Sequence, residues 1–468
     1  MNHHATATVA TILLGLLPVA LNADEPSLEK LRHDFAVRYI EPEPHLTLAR
    51  YFHDKGNRLQ AFLLLESARC GLVPKEQFDA AFERVFLKRE PFDNSNEAEA
   101  ALKKKLAQDS RSAPTLVKLA DIHISRSDWA KAREYLGQAI KLEPNDFTNV
   151  AALAEVNSRD GKEDEANRVG QTFLKEHPES KESFSQKLAP LMTNDRPAAK
   201  ALLALAIKKF PEEGSFLFDM AVVLQDEKKI PEAEDHFVRA AALAKDTPHI
   251  QAWTGRFFLK VKADEPKALE YYLSAYFLDP HFYDTEHSEG RIWSISLGLA
   301  TKRYEVLKAT GKKPEELLRD ANPIVVGQAI DDFKKRGDAK YIRPLIEALG
   351  HDDDYVRAKA LEQLMAYAGN SLEGELNALL HDRDPRKRGM AAFLAVQHRG
   401  KQGIADVKPW LADDAQLIRF DAVTALYQYG GEEGRKIVQD HASREKHPLF
   451  KQWLEAALKA GSQRVPPE

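Results

Sequence analysis

The sequence contains one cysteine, Cys70, in 468 residues. A single thiol excludes an internal disulfide, and Cys70 lies too far from the N-terminal segment to be a lipoprotein anchor. We interpret it as a small buried residue rather than a functional thiol. The sequence also has no Asn-x-Ser/Thr glycosylation site, which fits an exported bacterial protein.

The common catalytic signatures are missing as well. The sequence has no glycine-rich phosphate loop, no zinc-protease motif and no cysteine cluster for structural zinc. The string nearest to a nucleophile elbow, residues 369–374, has one residue too many and falls in a turn between helices. The net charge of -5 argues against non-specific nucleic-acid binding, which needs a basic surface. We therefore predict a protein that is not an enzyme, needs no cofactor and binds no nucleic acid.

One polar segment has the residue types of a metal site. Oxygen and imidazole ligands for a divalent ion would come from His281, Asp284, Glu286, His287 and Glu289. Because this segment is a polar connection between predicted helices, solvated side chains are the simpler interpretation. We predict no metal and keep metal binding by this cluster as the alternative.

The N-terminus differs from the rest of the chain. Residues 1–23 contain no Asp, Glu, Lys or Arg, and an apolar run extends from Val9 to Leu21. This pattern predicts a secretory signal peptide cleaved after Ala23, although no Lys or Arg precedes the run. A short uncleaved apolar leader is the alternative. Since no later segment has about 18 uninterrupted apolar residues, we expect a periplasmic or secreted chain without a membrane span in its mature part.

A repeat of about 34 residues follows. Four residues recur 34 positions later in the sequence: Leu119, Ala120, Ala132 and Pro144 return as Leu153, Ala154, Ala166 and Pro178. Pro197 and Ala199 return after 34 residues as Pro231 and Ala233, and then after 35 as Pro266 and Ala268. Small Ala residues let two helices approach closely, and a proline suits the first turn of a helix. This pattern resembles the tetratricopeptide repeat, which implies stacked helix pairs over residues 42–280, after a lead-in at 24–41.

A second period begins after Pro280. Glycines recur in steps of 32, 31, 30 and 31 residues at Gly337, Gly369, Gly400, Gly430 and Gly461. Asp-rich turns and then a basic position precede the middle three, which suits helix N-caps followed by left-handed C-caps. The pattern resembles HEAT repeats of the bilin-lyase type over 312–461, with an adaptor at 281–311 and a loose tail at 462–468. Together the two systems predict an all-α fold, an α–α superhelix or solenoid of helix pairs.

The resemblance to tetratricopeptide proteins also implies a binding surface. In that family the first helix of each pair lines a concave groove whose residues do not pack the core. The matching positions here are Leu46, Arg50, His53, Val117, Asp121, Ile124, Ala151, Glu155, Arg159, Phe218, Val222 and Gln225. Phe218 and Val222 would accept an apolar side chain, or else pack against the adaptor. None of these residues is Lys or Asn, which excludes the clamp that binds the carboxylate tails of chaperones.

We therefore expect an exported scaffold or assembly factor that binds another protein or a peptide in this groove. The expectation rests on a repeat architecture without a catalytic constellation. One alternative is binding of a cell-wall glycan or another polymer along the groove. A second alternative, suggested by the resemblance of the C-terminal part, is a bilin-lyase-like enzyme.

Overall fold

The computed structural model describes residues 26–69, 75–89, 92–281, 289–334, 339–367 and 370–461. Several sequence predictions lie outside these ranges: the signal peptide at 1–23, Cys70, the loose tail at 462–468, Asp284, Glu286, His287, Gly337 and Gly369. Within the described ranges the chain is helical and contains no β-strand. The fold class is the predicted all-α superhelix of stacked helix pairs.

Most helices are 10 to 15 residues long. The first four are α1 (Leu28–Val37), α2 (Pro42–Asp54), α3 (Arg58–Arg69) and α4 (Lys75–Val85). The next eleven are α5 (Asn96–Gln108), α6 (Ala113–Ser125), α7 (Trp129–Leu142), α8 (Phe147–Arg159), α9 (Glu163–Glu176), α10 (Lys181–Asn194), α11 (Arg196–Lys209), α12 (Gly214–Asp226), α13 (Ile230–Leu243), α14 (Pro248–Phe257) and α15 (Glu265–Leu278). The last eleven are α16 (Glu289–Ala309), α17 (Pro314–Leu317), α18 (Pro323–Lys334), α19 (Ile342–Ala348), α20 (Asp354–Ala366), α21 (Asn370–Leu379), α22 (Pro385–Arg399), α23 (Lys401–Val407), α24 (Gln416–Tyr429), α25 (Gly431–Ala442) and α26 (Pro448–Gly461).

The chain divides into two compact units. One contains Phe52–Glu373, and the other joins the residues up to Tyr51 with those from Gly374 onward. In the first unit, α6 packs against α7, α8 against α9, α10 against α11, α12 against α13 and α14 against α15. These are the helix pairs that the 34-residue period predicts, and we call the first and second members of each pair helix A and helix B.

Small residues set the spacing within the pairs. Ala120 on α6 and Ala132 on α7 are completely buried together with Leu136. A Cβ atom added to Gly255 of α14 would lie 3.1 Å from the carbonyl oxygen of Ala268 on α15. The helices therefore touch along a line where no larger side chain fits, which is the physical reason for the sequence pattern.

Helix A ends in the same way in three of the pairs, those that begin with α6, α8 and α12. Ser127, Gly161 and Lys228 have left-handed backbones, with φ of 58°, 75° and 61°. The next N–H in each case donates to a carbonyl five residues back: Asp128 to His123, Lys162 to Asn157 and Lys229 to Leu224. This is the Schellman motif, which satisfies carbonyls that a helix terminus would otherwise leave unpaired.

The pair α14–α15 departs from this rule by one residue. A π-helical turn, Phe258–Lys262, follows α14, and its closing N–H, from Asp264, donates to Phe258, six residues back. The left-handed residue here is Ala263, with φ of 53°. One extra residue is thus absorbed in a π turn, which explains why Pro231 and Pro266 are separated by 35 residues rather than 34.

Helix α3 packs against elements that are distant in sequence. Within the unit Phe52–Glu373, Arg58 Nη2 donates to Ser274 Oγ of α15 at 3.1 Å, and Tyr276 of α15 donates to Glu66 at 2.5 Å. Ser67 donates to Asp354 at the start of α20. The helix pair that begins the predicted tetratricopeptide region therefore contacts the last pair of that region.

The 31-residue period has its own structural basis. Arg357, Arg388 and Arg419 are spaced 31 residues apart. Each donates from Nη1 to the carbonyl oxygen six residues earlier: Arg357 to His351 at 2.7 Å, Arg388 to Asp382 at 2.9 Å and Arg419 to Asp413 at 2.8 Å. The basic position in the pattern therefore holds the turn that precedes its own helix.

The sequence predicts that Asp residues of these turns cap helices, and the structure shows this in two of the three repeats. Asp353 accepts a hydrogen bond from the Tyr355 N–H at 2.9 Å, and Asp384 accepts one from the Arg386 N–H at 3.0 Å. In the third repeat the equivalent residue is Ala415, which makes no side-chain cap. Carboxylates at this position satisfy a free N–H and favour the helix dipole.

The predicted left-handed glycines are only partly found. Gly400 has a positive φ of 54° but a ψ of -121°, outside the left-handed helical region, whereas Gly430 has φ of -82° and the following Gly431 has φ of 59°. Gly430 is needed for space instead, since a Cβ there would clash with the carbonyl oxygen of Leu426. The sequence pattern predicts the positions of these glycines. It does not distinguish a glycine that is needed for a positive φ from one that is needed because a Cβ would clash.

The second unit brings the two ends of the described chain together. Helix α1 packs against α22 and α24. The backbone N–H of Ile40 donates to Gln416 Oε1 at 3.0 Å, and the Tyr39 and Phe420 rings are 5.2 Å apart. Residues 26–41, expected only as a lead-in, thus form part of a core built with C-terminal helices.

Candidate functional site

The predicted groove residues differ widely in exposure. Asp121, Ala151, Glu155 and Arg159 are exposed, and Leu46 is fully buried. The others are partly buried: Arg50, His53, Val117, Ile124, Phe218, Val222 and Gln225. We call the surface formed by these positions on α6, α8 and α12, together with the following helix α14, the helix-A face.

The residues on α2 offer little surface to a partner. Leu46 has no exposed area. The His53 ring lies 4.7 Å from the Phe277 ring and 5.9 Å from the Phe86 ring. Both His53 contacts are edge-on packing within the unit Phe52–Glu373. The α2 positions therefore contribute to the packing of the protein core.

The middle of the array is polar at its surface. Val117 and Ile124 pack against the core cluster of Ala120, Ala132, Leu136 and Val156. Glu155 and Arg159 form an exposed ion pair at 2.6 Å. Such an exposed pair contributes about 0.3–0.5 kcal/mol and leaves both groups open to competition from a ligand.

The aromatic side chains of the helix-A face meet on α12 and α14. The Phe218 ring lies 6.2 Å from the Trp253 ring and 5.9 Å from the His249 ring, with both contacts edge-on. Val222, one helical turn after Phe218, is partly exposed on the same side of α12. Trp253 is 39% exposed. We call these four residues, Phe218, Val222, His249 and Trp253, the aromatic patch.

A rigid base supports the aromatic patch. Phe218 packs against the buried cluster of Leu217, Ala240, Ala241 and Ile250. Its ring also lies 5.9 Å from that of Phe237 on α13. These partners come from α12, α13 and α14. Phe218 is therefore fixed by its own and the adjacent helix pair, with its outer edge left accessible.

Charged groups surround the aromatic patch. Burial raises the pKa of Asp219 to about 6, while nearby Arg196 acts in the opposite direction. Arg196 itself pairs with Asp226 at 2.9 Å. Burial also lowers the pKa of His249, which favours the neutral ring. The Arg256 guanidinium lies over the Trp253 ring, 4.9 Å from its centre.

Asp121 on α6 is a second carboxylate whose pKa is raised by desolvation. Although its side chain is partly open to solvent, desolvation by its neighbours raises its pKa. The helix-A face therefore has two carboxylates, Asp121 and Asp219, that are less well solvated than carboxylates on an open surface. Such groups gain more from a partner that brings an opposite charge.

The proposed metal ligands can be followed only in part. His281 Nε2 lies 2.5 Å from Asp79 Oδ1, so the ring is engaged with α4. Asp284, Glu286 and His287 are outside the described residues. Across the part of the chain that is described, no group of three or more His, Cys, Asp or Glu side chains is arranged to hold a metal ion. No helix in that part is long and apolar enough to cross a bilayer.

Sequence reasoning missed three of the residues around the patch, namely Asp219, His249 and Trp253. Counting by 34 pairs Trp253 with Asp219 and His249 with Ser215, and none of these positions was among the predicted groove positions. Asp219 lies beside a predicted groove position, and the sequence alone does not reveal its desolvation. The available signal was an aromatic residue, Trp253, on helix A of the last pair.

Known proteins support the identity of the first repeats. Residues 93–156 match the Tetratricopeptide repeat family. No curated protein matches the sequence. Among solved structures, the chain is similar to MamA (41-end) from Desulfovibrio magneticus RS-1, with 16% identity over 36% of this chain and 96% of that chain and a TM-score of 0.23.

Two further structures have comparable similarity. The Cut9–Hcn1 hetero-tetramer is 13% identical over 58% of this chain and 52% of that chain, with a TM-score of 0.32. YrrB, described as a TPR protein with an unusual peptide-binding site, is 12% identical over 56% of this chain and 99% of that chain, with a TM-score of 0.19. The match to the Tetratricopeptide repeat family covers α5, α6, α7 and most of α8.

Proposed function

We propose that this protein is an exported scaffold or assembly factor that binds a segment of another protein on its helix-A face. The aromatic patch is the anchor of that surface. The observation that carries the proposal is the partly exposed Phe218–Trp253 pair, held on a buried base beside a poorly solvated carboxylate. Rigid aromatic side chains with an accessible edge are typical energetic centres of protein interfaces.

The ring geometry favours a protein segment over a glycan. A sugar stacks on a flat and open aromatic face, whereas the Phe218 and Trp253 rings meet at 78°. The Arg256 guanidinium covers one face of Trp253. The exposed surface of two edge-on rings suits contact with an aliphatic or aromatic side chain instead. Glycan binding is the competing outcome of the experiments below.

The recurring polar residues of the second repeat system have local structural roles. Its recurring polar residues, Arg357, Arg388 and Arg419, are engaged with turn carbonyls of their own repeats. Asp353 and Asp384 cap helices. These local structural roles account for the polar residues of the period. A spectral change on mixing the protein with a tetrapyrrole would instead favour the bilin-lyase alternative.

Site-specific cross-linking tests the proposed surface directly. A photoreactive phenylalanine analogue at position 253 should give a defined adduct with a partner protein in envelope extract. The same analogue at position 306, where Val306 is 63% exposed on α16, is the matched control and should give none. Phe218→Glu should abolish the adduct at 253, because a charge replaces the anchor.

Two outcomes would overturn this assignment. One is an adduct at 253 that persists with Phe218→Glu, which would place binding elsewhere. The other is co-sedimentation with cell-wall material that Phe218→Glu abolishes, while no protein adduct forms. The second result would favour the glycan alternative.

Export is a separate part of the proposal and needs its own test. Its support is the uncharged, apolar segment at residues 1–23. Mass spectrometry of the protein recovered from the periplasmic fraction should find an N-terminus at Asp24. A chain that keeps residues 1–23 and remains in the cytoplasmic fraction would contradict export.

A further inference from the structure

The carboxylate of Asp219 is the least compensated charge beside the aromatic patch. Asp219 is partly buried on α12, next to Phe218 in sequence and one turn before Val222. It accepts no hydrogen bond from any side chain or backbone group among the described residues. A carboxylate removed from water without a hydrogen-bond donor is unfavourable until a donor or cation reaches it.

The neighbouring charges do not satisfy Asp219. Arg196 on α11 is the charged side chain that acts on it through space, and the guanidinium of Arg196 is bound to Asp226 at 2.9 Å. On α14, desolvation lowers the pKa of His249. Arg256 lies over the Trp253 ring. The site therefore combines an apolar surface with one unmatched negative charge.

We propose that Asp219 selects the partner of the helix-A face, which is a protein segment carrying Lys or Arg close to an aromatic or aliphatic side chain. The apolar side chain packs against the exposed surface of Phe218 and Trp253, and the cation pairs with the Asp219 carboxylate. This inference rests on the proposed function and specifies its ligand. Charge complementarity carries it, since a basic group supplies the donor that Asp219 lacks.

The same arrangement makes recognition dependent on pH. Because burial raises the pKa of Asp219 to about 6, the group is largely neutral at pH 5 and ionised at pH 7. A cation binds the ionised form. Affinity should therefore rise about tenfold from pH 5 to pH 7, in proportion to the ionised fraction.

A random dodecapeptide library displayed on phage is the probe. Selection on the full chain at pH 7 should enrich Lys or Arg within about three residues of Phe, Trp, Leu or Ile, a spacing that fits the reach of neighbouring side chains in an extended segment. An enriched peptide should bind Asp219→Asn about tenfold more weakly, since the variant has the shape but not the charge. Asp235→Asn on α13, whose side chain is 61% exposed and pairs with Arg239, is the matched control and should bind normally.

Binding measured at several pH values separates the effect of the Asp219 charge from that of the surrounding apolar contacts. Fluorescence anisotropy of the enriched peptide should show the rise in affinity from pH 5 to pH 7 with the unmodified protein and with Asp235→Asn. Asp219→Asn should lose most of this rise. A peptide in which Gln replaces the basic residue should bind the unmodified protein and Asp219→Asn with the same affinity.

The outcomes distinguish this inference from the proposed function. Peptides that need Phe218 but show no basic enrichment would overturn the role of Asp219 and leave the anchor intact. Peptides whose binding is unchanged by Phe218→Glu would overturn both. Thermal unfolding of Asp219→Asn, expected to be at least as stable as the unmodified protein, shows that weaker binding does not reflect misfolding.

Discussion

Gln60 Nε2 donates a hydrogen bond to Asp353 Oδ2 at 3.3 Å and so joins α3 to the start of α20. Asp353 Oδ1 accepts the N–H of Tyr355 at 2.9 Å, so both carboxylate oxygens are used. The side chain is almost completely buried. Burial raises the pKa of Asp353 to about 6, while Arg357 acts in the opposite direction.

The first prediction concerns the pH dependence of stability. Since the folded pKa of Asp353 lies above its ordinary value near 4, the folded state holds the proton more tightly than the unfolded state. This contribution is fully present below about pH 4 and is lost as the pH rises through about 6. The unfolding free energy of Asp353→Asn should therefore fall less over this range than that of the unmodified protein. Urea unfolding at pH 4.5 and 6.5 measures this, and identical changes would contradict the prediction.

The second prediction contrasts two helical glycines. Gly255→Ala should destabilise the protein, because the new Cβ would lie 3.1 Å from Ala268 O and 3.3 Å from Tyr272 Cδ1. Gly170→Ala on α9 is the matched control, with no atom within 4 Å of the new Cβ. It should raise the unfolding free energy by about 0.5–1 kcal/mol through helix propensity. Thermal unfolding should thus move in opposite directions, and a common direction would mean that α14 and α15 do not touch as described.

The third prediction concerns the left-handed turn between α12 and α13. Lys228 has φ of 61°, a conformation that costs a non-glycine residue about 1–2 kcal/mol. Lys228→Gly should therefore raise the unfolding free energy by about 1 kcal/mol. Lys208→Gly, exposed and helical in the last turn of α11, removes the same side chain and should lower it. A decrease for both variants would contradict the Schellman geometry.

The fourth prediction concerns the arginines of the 31-residue period. Arg388→Leu should lower the stability of the C-terminal helices by about 1 kcal/mol, because the carbonyl of Asp382 loses its 2.9 Å hydrogen bond. Arg383→Leu, an exposed change in the same turn, should have little effect. Amide hydrogen exchange in α22 measures the difference. Equal protection of the α22 amides from hydrogen exchange in the two variants would contradict the proposed role of Arg388.

Much of the repeat architecture was predictable because close packing of the helices requires small residues at the same positions of each repeat. Ala120, Ala132 and Gly255 lie where helices touch, and such positions tolerate only small residues. The N-caps at Asp353 and Asp384 were predictable for a similar reason, since a cap is a local interaction. The assignment of the second period to HEAT repeats remains a prediction.

The aromatic patch was only half predictable. Phe218 lies at a groove position of the tetratricopeptide pattern, whereas Trp253 lies 34 residues after Asp219, at a position that the pattern did not assign to the groove. The desolvation of Asp219 depends on how α11 and α12 pack, which is a tertiary property. Contacts such as Gln60–Asp353 join residues 293 positions apart, and no local pattern encodes them.

The pairing of α1 with α24 determines when part of the molecule can fold. Ile40 and Gln416 are 376 residues apart, so the N-terminal helix leaves the ribosome long before its partner is made. Loop-closure entropy makes such late contacts slow to form. Residues 26–51 must therefore wait for nearly the whole chain to be synthesised, and a protein truncated before α24 would expose Phe35 and Tyr39 to solvent. The core around α1 can therefore be completed only after the C-terminal helices are present.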